Sequence, residues 1–343
     1  MKVAKLYGAR DVRIEQAPTP EPGPGEVALK VKAVGICGSD VHYYKEGGIG
    51  DATVEQPLIW GHEFSAEIAD LGTGVTSLHV GQAVAVDPAR PCGHCEFCLE
   101  GKSNLCPEVV FAGSPGVDGA MSEYMVYPAK YCYPLPENLD YANGAILEPL
   151  GVAIHAVDLG KIRVGEMVAV LGCGPIGLLT IQVARVAGAS RIFATEPLDY
   201  RLEAAKRAGA TDTYNPKQQN IVEAILKATN GRGVDVVFEC AGAQETVDEA
   251  MRIAKPGGTV VLVGIPSVDT TTFTASVARR KGLNIKMSRR MKEVYPRAMA
   301  LAARGMVDLR SIITHRLPIE RAAEAFALLE HYRDNVIKVI IEL

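Results

Sequence analysis

The spacing of hydrophobic and polar residues changes along the chain near residue 150. Before that point, short β-branched runs are broken by Gly and Pro, as in "EVALKVKAVGI", "GQAVAVDP" and "SEYMVYP". These runs predict a strand-rich, antiparallel region. After it, strand-like and helix-like segments alternate in "EMVAVLGCGPIGLLTIQVARVAGA", "RIFATE", "DYRLEAAKRAGA", "VDVVFECAG" and "GTVVLVGI". This alternation predicts an α/β protein with a doubly wound parallel sheet.

The pattern changes again after residue 287, where "RAMALAARG" and "RAAEAFALLEH" predict helices and "NVIKVIIEL" predicts a last strand. The chain has 343 residues, which is too long for one ordinary hydrophobic core. Two domains are therefore expected.

Composition narrows the class of protein. Hydrophobic residues make up 48% and charged residues 22%, which is typical of a globular protein. The formal net charge of −4 argues against nucleic acid or an anionic membrane as a partner. No apolar run reaches the roughly 18 residues of a membrane span, and the first residues lack the core of a signal peptide. A cytoplasmic protein with reduced thiols is expected.

Four of the eight cysteines lie in one short segment, "CGHCEFCLEGKSNLC", at Cys92, Cys95, Cys98 and Cys106. Four thiolates at this spacing can complete a tetrahedral shell around Zn²⁺. Such a closed shell leaves no position for substrate, so the site would be structural. An iron–sulfur cluster and surface thiols without metal remain as alternatives.

A glycine-rich turn follows the first strand of the alternating region. Gly172, Gly174 and Gly177 match GxGxxG, the turn opens a helix, and Glu196 follows 24 residues after the first glycine. This context predicts a dinucleotide site, with the pyrophosphate at the helix N-terminus and the glutamate on the ribose hydroxyls. That carboxylate would repel a 2′-phosphate, which favours NAD over NADP. The alternative is a tight turn in an ordinary α/β domain. The turn residues are Gly172, Gly174, Pro175, Ile176 and Gly177.

A second candidate metal group comes from "GICGSDVHYY" and "WGHEF". Cys37, His62 and Glu63 offer three ligands and leave one position open. Each residue taken alone is usually structural.

In combination, these motifs resemble the zinc-dependent medium-chain alcohol dehydrogenases, most closely the sorbitol (polyol) dehydrogenase branch. The resemblance runs essentially end to end and includes "GICGSDVHYY", "GHE", the four-cysteine segment, "LEPLGVAIHA", "GCGPIG", "ECAG" and "THRLPIERAAEAF". It implies a strand-rich GroES-like catalytic domain at 1–150 and 288–343, with a structural zinc lobe at 88–110. It also implies a Rossmann NAD-binding domain at 151–287.

The resemblance further implies roles for individual residues. Cys37, His62 and Glu63 would hold a catalytic zinc, Glu148 would bind this metal or its water, and Asp40 would orient the histidine. The remaining implied sets are Ser39 and His42 as a proton relay; Tyr43, Phe111, Glu148 and Arg289 as polyol contacts; and Arg201, Val263 and Ile265 as cofactor contacts. Structural alternatives are turn capping by Ser39 and His42, and capping by Glu148 of a helix that begins near "PLGVAIHA".

The implied activity is hydride transfer from a secondary alcohol of a polyol to NAD⁺, which gives a ketose. Zinc would lower the pKa of the alcohol, so that its alkoxide can expel hydride. Two zinc ions per subunit, one catalytic and one structural, and a homotetramer are implied as well.

Arg290 departs from the pattern, because sorbitol dehydrogenases often carry Tyr after the substrate arginine. "RRM" at 289–291 resembles the threonine dehydrogenase branch, so an L-threonine 3-dehydrogenase or another hydroxy-acid dehydrogenase is an alternative. A zinc-free quinone reductase of the same fold and a zinc-ribbon nucleic-acid-binding protein are the more remote alternatives.

Overall fold

The computed structural model describes all residues, 1–343, and the chain forms two compact units. The first unit comprises Met1–Glu148, Tyr295–Arg304 and Ile313–Leu343, and the second comprises Pro149–Val294 and Gly305–Ile312. The functional domains expected from the sequence, with limits at 1–150 and 288–343 for one and 151–287 for the other, remain predictions. No helix is long and apolar enough to cross a membrane.

The secondary structure is mixed, as the sequence pattern predicts. The strands are β1 (Lys2–Gly8), β2 (Asp11–Gln16), β3 (Glu26–Gly35), β4 (Gly48–Ile49), β5 (Ala52–Thr53), β6 (Glu63–Leu71), β7 (Ala83–Val86), β8 (Ala89–Arg90), β9 (Val110–Phe111), β10 (Tyr124–Pro128), β11 (Cys132–Pro134), β12 (Met167–Leu171), β13 (Arg191–Thr195), β14 (Asp212–Tyr214), β15 (Val234–Glu239), β16 (Ala254–Leu262), β17 (Asn284–Met287), β18 (Ile313–Pro318) and β19 (Lys338–Glu342). The helices are α1 (Gly38–Glu46), α2 (Glu96–Leu99), α3 (Tyr141–Gly160), α4 (Pro175–Val186), α5 (Asp199–Ala208), α6 (Ile221–Ala228), α7 (Gln244–Ile253), α8 (Ala275–Lys281), α9 (Tyr295–Ala303) and α10 (Ala322–Glu330).

The main sheet of the first unit has the strand order β11-β7-β6-β3-β19-β18, and β10 also pairs with β3. Its ladders are antiparallel except for the parallel pair β18–β19. Trp60, Phe64, Tyr127 and Phe326 are among the largest buried side chains of its core. The last strand, β19, therefore pairs with β3 inside a sheet whose other strands come mostly from the first half of the chain.

The second unit is built on a parallel sheet in the order β14-β13-β12-β15-β16-β17. This is the 3-2-1-4-5-6 order of a doubly wound sheet with two mononucleotide-binding halves. The apolar strands are buried on both faces, as parallel strands covered by helices require. Ligands of such sheets bind outside the carboxyl ends of the strands, where the order reverses between β12 and β15.

Helix α3 corrects one expectation from the sequence. It begins at Tyr141, well before the segment "PLGVAIHA", so Glu148 lies inside the helix and does not cap its start. The apolar residues around it, such as Ala145, Leu147 and Leu150, are fully buried. The capping role considered for Glu148 is therefore wrong.

Candidate active site and metal centres

Sheet pairing brings Cys37, His62 and Glu63 together. β3 ends at Gly35 and pairs with Glu63, the first residue of β6, so the cysteine after one strand meets the histidine before the other. The ligand atoms of the three residues all lie within 4.8 Å of one another. This set therefore forms through long-range strand pairing, since its members are not neighbours in sequence.

Asp40 joins the start of α1 to this group. Cys37 caps the helix with extended backbone, and its backbone N–H donates to Asp40 Oδ2 at 2.9 Å. Asp40 Oδ1 lies 3.6 Å from His62 Nδ1. Burial raises the pKa of the Asp40 carboxyl. The carboxyl thus lies where a partner that orients the His62 ring is expected.

Lys338, on β19, is a residue of this group that the sequence analysis missed. Its Nζ donates to Glu63 Oε2 at 2.5 Å, to Glu63 Oε1 at 2.8 Å and to the Ile36 carbonyl at 3.0 Å. The lysine and the glutamate are 2% and 1% exposed. Burial lowers the lysine pKa, but the charges of Glu63 and Cys37 outweigh it and leave that pKa raised. The available signal was a lysine inside the apolar run "NVIKVIIEL".

Glu148 adds a third buried carboxyl group, after Asp40 and Glu63. Burial, together with the charges of Glu63 and Cys37, raises its pKa well above the ordinary value, while His62 acts in the opposite direction. Burial and Glu63 also raise the pKa of the Cys37 thiol to about 12. Several acidic groups lie close together, so the negative charge of one makes ionisation of the others unfavourable. A bound divalent cation would remove this repulsion. The thiol, imidazole and carboxyl donors fit Zn²⁺.

The other residues expected near this group differ in their contacts and in their exposure to solvent. The Phe111 ring packs against the His62 ring, with centroids 5.1 Å apart. Ser39 is close enough to the Cys37 thiol to act against the rise in its pKa. His42 Nδ1 lies 3.2 Å from Glu46 Oε2, one helical turn further along α1. Tyr43, on the same helix, is buried in the core of the first unit.

The four cysteines of 92–106 also come together. Their sulfur atoms lie within 4.8 Å of one another, and Cys92 Sγ and Cys98 Sγ are 4.0 Å apart. Tetrahedral zinc with bonds of about 2.3 Å requires sulfur separations of roughly 3.8 Å. None of the eight cysteines forms a disulfide. The geometry fits a metal ion bound by the four thiolates.

The thiols of this lobe differ in acidity. Backbone N–H groups, led by that of His94, lower the pKa of Cys92 to about 6. Desolvation raises the pKa of Cys98 to about 12. The Cys92 thiol therefore loses its proton readily, whereas the Cys98 thiol resists losing it. A bound divalent cation would stabilise the thiolate form of both. An exposed group of Cys92, His94 and Glu108 lies beside it and shares the first cysteine.

The glycine turn of the second unit has the shape that a dinucleotide requires. Gly172 has φ +93°, and a Cβ there would lie 2.9 Å from the Ala241 nitrogen. A Cβ on Gly177 would lie 1.9 Å from the Gly172 carbonyl oxygen. Gly174 caps α4, and a Cβ there would meet only Arg201 Nη1, at 3.9 Å. The turn is closed toward the sheet and open at the helix N-terminus, where a phosphate can approach.

Glu196 directly follows β13 at the carboxyl edge of the same sheet and is buried. Its Oε2 accepts from the Cys173 N–H at 2.9 Å, and its Oε1 accepts from the Leu198 N–H at 3.3 Å. The carboxylate is thus fixed beside the glycine turn. Of the remaining residues expected to bind ligands, Val263 and Ile265 follow β16, Arg201 lies on α5, and Arg289 follows β17.

The sequence matches two family descriptions, "Alcohol dehydrogenase GroES-like domain" over residues 23–137 and "Zinc-binding dehydrogenase" over residues 175–304. It is also 38% identical to the sorbitol dehydrogenase of Bacillus subtilis over 341 residues, which cover 99% of this chain and 97% of that protein. The chain belongs to the zinc-binding alcohol dehydrogenase family. The resemblance and the fold class inferred from the sequence are confirmed, and a zinc-ribbon nucleic-acid-binding protein is set aside.

Solved structures of this family hold either nicotinamide cofactor. A zinc-binding dehydrogenase from Sinorhizobium meliloti 1021, bound to NADP, is 34% identical with a TM-score of 0.92. An alcohol dehydrogenase from Escherichia coli CFT073, complexed with NADH, is 32% identical with a TM-score of 0.92. Each comparison covers 100% of this chain and 99% of the other. The family therefore does not by itself decide between NAD and NADP for this chain.

Proposed function

We propose that the protein is a zinc-dependent polyol dehydrogenase, which oxidises a secondary alcohol of a sorbitol- or xylitol-type polyol to a ketose with NAD⁺. The observation that carries this proposal is the group of Cys37, His62 and Glu63, of which the last two are buried and whose ligand atoms converge within 4.8 Å. The full-length similarity to a sorbitol dehydrogenase supports the substrate class.

Cys37 and His62 would hold the catalytic zinc. When bound, the ion lowers the pKa of the substrate hydroxyl and polarises the product carbonyl. Both oxygens of Glu63 already accept from Lys338, so this carboxylate reaches a metal only if the ion pair opens. Glu148, which has no such cation, is the better candidate for the third position or for holding a water there.

The chain's own residues orient the substrate and move its proton. Phe111 covers the His62 ring and would exclude water from the reacting hydroxyl. Ser39 lies against Cys37 and would receive the hydroxyl proton. His42 contacts Glu46 at the surface of α1 and would pass that proton to solvent. This assignment replaces turn capping as the role of Ser39 and His42.

NAD is the proposed cofactor because of Glu196. Its carboxylate is buried beside the glycine turn and fixed by two backbone N–H groups. A 2′-phosphate placed there would meet the negative charge of this carboxylate, whereas ribose hydroxyls can donate hydrogen bonds to it. Replacing Glu196 with Ser should therefore raise the use of NADP relative to NAD.

The decisive experiment follows NADH absorbance with NAD⁺ and a panel of sorbitol, xylitol, galactitol, arabinitol, L-threonine and hydroxy acids. Turnover of polyols above all other substrates is the expected result. Zinc content measured on the same sample should be about two per subunit, with Cys92, Cys95, Cys98 and Cys106 holding the structural ion. A sample with full zinc that oxidises no polyol would refute the proposal.

A specific observation favours L-threonine or another hydroxy acid as the second candidate substrate. Arg289 and Arg290 follow β17 after Ser288, and Arg290 has a left-handed φ of +53°. Two arginines adjacent in sequence suit a carboxylate better than they suit a neutral polyol. The same panel separates the two classes.

We propose further that the enzyme is a cytoplasmic homotetramer. β17 forms an edge of the parallel sheet, and its Ile285 and Met287 are exposed, which supports pairing with a second copy. The eight free cysteines support a reducing compartment. Light scattering on a sizing column and cell fractionation test these two statements.

A further inference from the structure

Glu239 is a buried carboxyl group of the second unit that the proposed mechanism leaves unused. It ends β15, belongs to the motif "ECAG" and is 1% exposed. Its Oε1 accepts from the N–H groups of Ala241 and Gly242, each at 2.9 Å, and from Thr246 Oγ1 at 2.8 Å. Burial raises the pKa of this carboxyl, and these donors act in the opposite direction. Three donors on one oxygen show that this carboxyl group holds its surroundings in place.

The main chain of Glu239 holds a second segment. Its carbonyl oxygen accepts from the N–H of Val263 at 2.8 Å and from the N–H of Gly264 at 3.0 Å. One residue therefore fixes both the loop after β15 (240–243, the β15 loop) and the loop after β16 (263–265, the β16 loop). The side chain organises the first loop and the backbone organises the second.

The two loops touch each other through glycines. A Cβ on Gly242 would lie 2.4 Å from the Ile265 carbonyl oxygen, and a Cβ on Gly264 would lie 2.1 Å from the Gly242 nitrogen. The same Cβ on Gly264 would lie 2.8 Å from Glu239 Oε2. No side chain fits between the loops, so the spacing of their backbones depends on the hydrogen bonds that Glu239 makes.

These loops lie where the second nucleotide of a dinucleotide is expected. Strands β12 to β14 form the mononucleotide half that carries the glycine turn and Glu196, which take the adenosine side. β15 to β17 form the other half, and the β15 and β16 loops are at its carboxyl edge. The β15 loop also reaches the glycine turn, because a Cβ on Gly172 would lie 2.9 Å from the Ala241 nitrogen.

We propose that Glu239 is a positioning residue for the nicotinamide half of the cofactor. It makes no contact with the dinucleotide. Its side chain acts by holding the β15 loop, against which the β16 loop packs through Gly242 and Gly264, and so it sets where the β16 backbone meets the nicotinamide. The inference rests on the proposed function, since it requires a dinucleotide cofactor. A glutamine cannot replace the carboxylate fully, because its amide nitrogen would stand where Oε2 approaches Gly264.

The test compares two probes on the purified full-length protein with Glu239→Gln. NADH carries the nicotinamide, whereas ADP-ribose keeps the adenosine, the pyrophosphate and the second ribose and lacks only the nicotinamide. We expect the Kd for NADH, from fluorescence titration, to rise about tenfold, as loss of a charge-assisted hydrogen bond implies. The Kd for ADP-ribose, from calorimetry, should stay within about twofold, which is under half a kcal/mol. The emission shift of bound NADH should also decrease.

Two further variants complete the experiment. Glu245→Gln, at an exposed position in the first turn of α7, should leave both dissociation constants unchanged. Thr246→Val removes one donor to Glu239 Oε1. It should weaken NADH binding selectively, as Glu239→Gln does, but by a smaller factor. This variant provides the test if Glu239→Gln does not fold. Equal weakening of both probes, or normal NADH binding in the soluble variants, would overturn the inference. A wild-type protein that binds no NADH at all would instead overturn the proposed function.

Discussion

Two candidate metal groups of the first unit, the four cysteines of 92–106 and the group at Cys37, differ in what surrounds them. The lobe at 92–106 offers four thiols, with backbone N–H groups as their partners. The group at Cys37 mixes a thiol, an imidazole and carboxyls, and it has Lys338 and Asp40 beside it. Four thiolates would fill all four positions around a zinc ion. The group at Cys37 offers three ligands and so leaves a position open, which is what a metal needs in order to bind substrate and release product.

The two groups also form by different routes. The lobe is local, since one segment of fifteen residues brings all its ligands, and turns at Gly93 and Gly101 allow it to wrap. The buried group depends on the register between β3 and β6 and on β19 reaching the centre of the sheet. Removing an ion should therefore unfold the first group locally and leave the second largely in place. Four substitutions test this comparison, in the order of their expected effect on turnover.

Cys37→Ser should have the largest effect. Loss of one ligand from a set of three should empty the catalytic site and lower kcat by roughly a thousandfold or more, about 4 kcal/mol of transition-state stabilisation. Zinc per subunit should fall from about two to about one. NADH binding should be unchanged, because the glycine turn belongs to the second unit.

Cys132→Ser is the control, since this thiol lies in the core of the first unit but belongs to none of the candidate metal groups. It should retain both ions and normal turnover per folded molecule. If Cys37→Ser behaved as this control does, the assignment of the buried group as catalytic would be wrong.

Glu148→Gln should have the next largest effect, with kcat reduced roughly a hundredfold if the carboxylate takes part in proton transfer. The pKa of Glu148 is raised in the folded protein, so the folded state binds its proton more tightly than the unfolded state does. In zinc-free protein, stability should then fall as pH rises above the ordinary carboxyl pKa of about 4.5. Glu148→Gln should remove that slope, which thermal unfolding of chelated samples measures.

Zinc content separates the two roles of this residue. Loss of the catalytic ion in Glu148→Gln identifies a direct ligand, and retention of zinc with an altered pH–rate profile identifies a residue that holds water. Full zinc together with an unchanged profile and unchanged kcat would leave Glu148 without a function in the site.

Lys338→Met should destabilise the protein more than it slows turnover. Removing one partner of a buried ion pair leaves Glu63 uncompensated, which costs about 3–5 kcal/mol in the free energy of unfolding. The freed carboxylate would then compete for the open metal position and lower kcat, with zinc retained. Denaturant unfolding and kinetics on the same sample measure both effects.

The double variant Glu63→Gln with Lys338→Met should recover much of the lost stability, because no buried charge is then unpaired. Lys32→Met is the matched control on the neighbouring strand, since its contact to Glu67 is 3.8 Å long and partly exposed. It should change stability by less than about 1 kcal/mol. Equal losses in Lys32→Met and Lys338→Met would show that the buried pair has no special importance.

The sequence predicted what is encoded locally. The β-branched runs, the strand–helix alternation and the glycine turn became β3, β7, β10, the parallel sheet and the start of α4, because each depends on residues close in the chain. The start of helix α3 differs from the expectation, because Pro149, a residue typical of a first helical turn, lies inside the helix. The helix begins instead after Asp140, whose Oδ1 accepts from the Asn143 N–H at 2.8 Å. The fold class was therefore predictable, and the capping aspartate was the available signal for this boundary.

The candidate site was only half predictable. The motifs supplied Cys37, His62 and Glu63, but the ion pair of Glu63 with Lys338 joins residues 275 positions apart and leaves no periodic signal. The hydrogen bonds of Glu239 to two loops are hidden for the same reason, although the motif "ECAG" marks the residue in the sequence. Contacts set by sheet register need the structure.

Cys98→Ser should have the smallest effect on turnover, and this is what separates the lobe most sharply from the buried group. Loss of one thiolate should release one zinc per subunit and with it on the order of 10 kcal/mol of binding free energy that the lobe uses to fold. The cost should stay local, because the ligands all come from 92–106 and the main sheet keeps its own ladders. Limited proteolysis should therefore cut within 92–106 in the variant and not in the wild type, while kcat per folded molecule stays within about twofold, a difference of under half a kcal/mol. If turnover were abolished in a Cys98→Ser sample that keeps the zinc at Cys37 and resists proteolysis outside the lobe, the chemistry would have to include the four cysteines, and the division between a structural and a catalytic ion would fail.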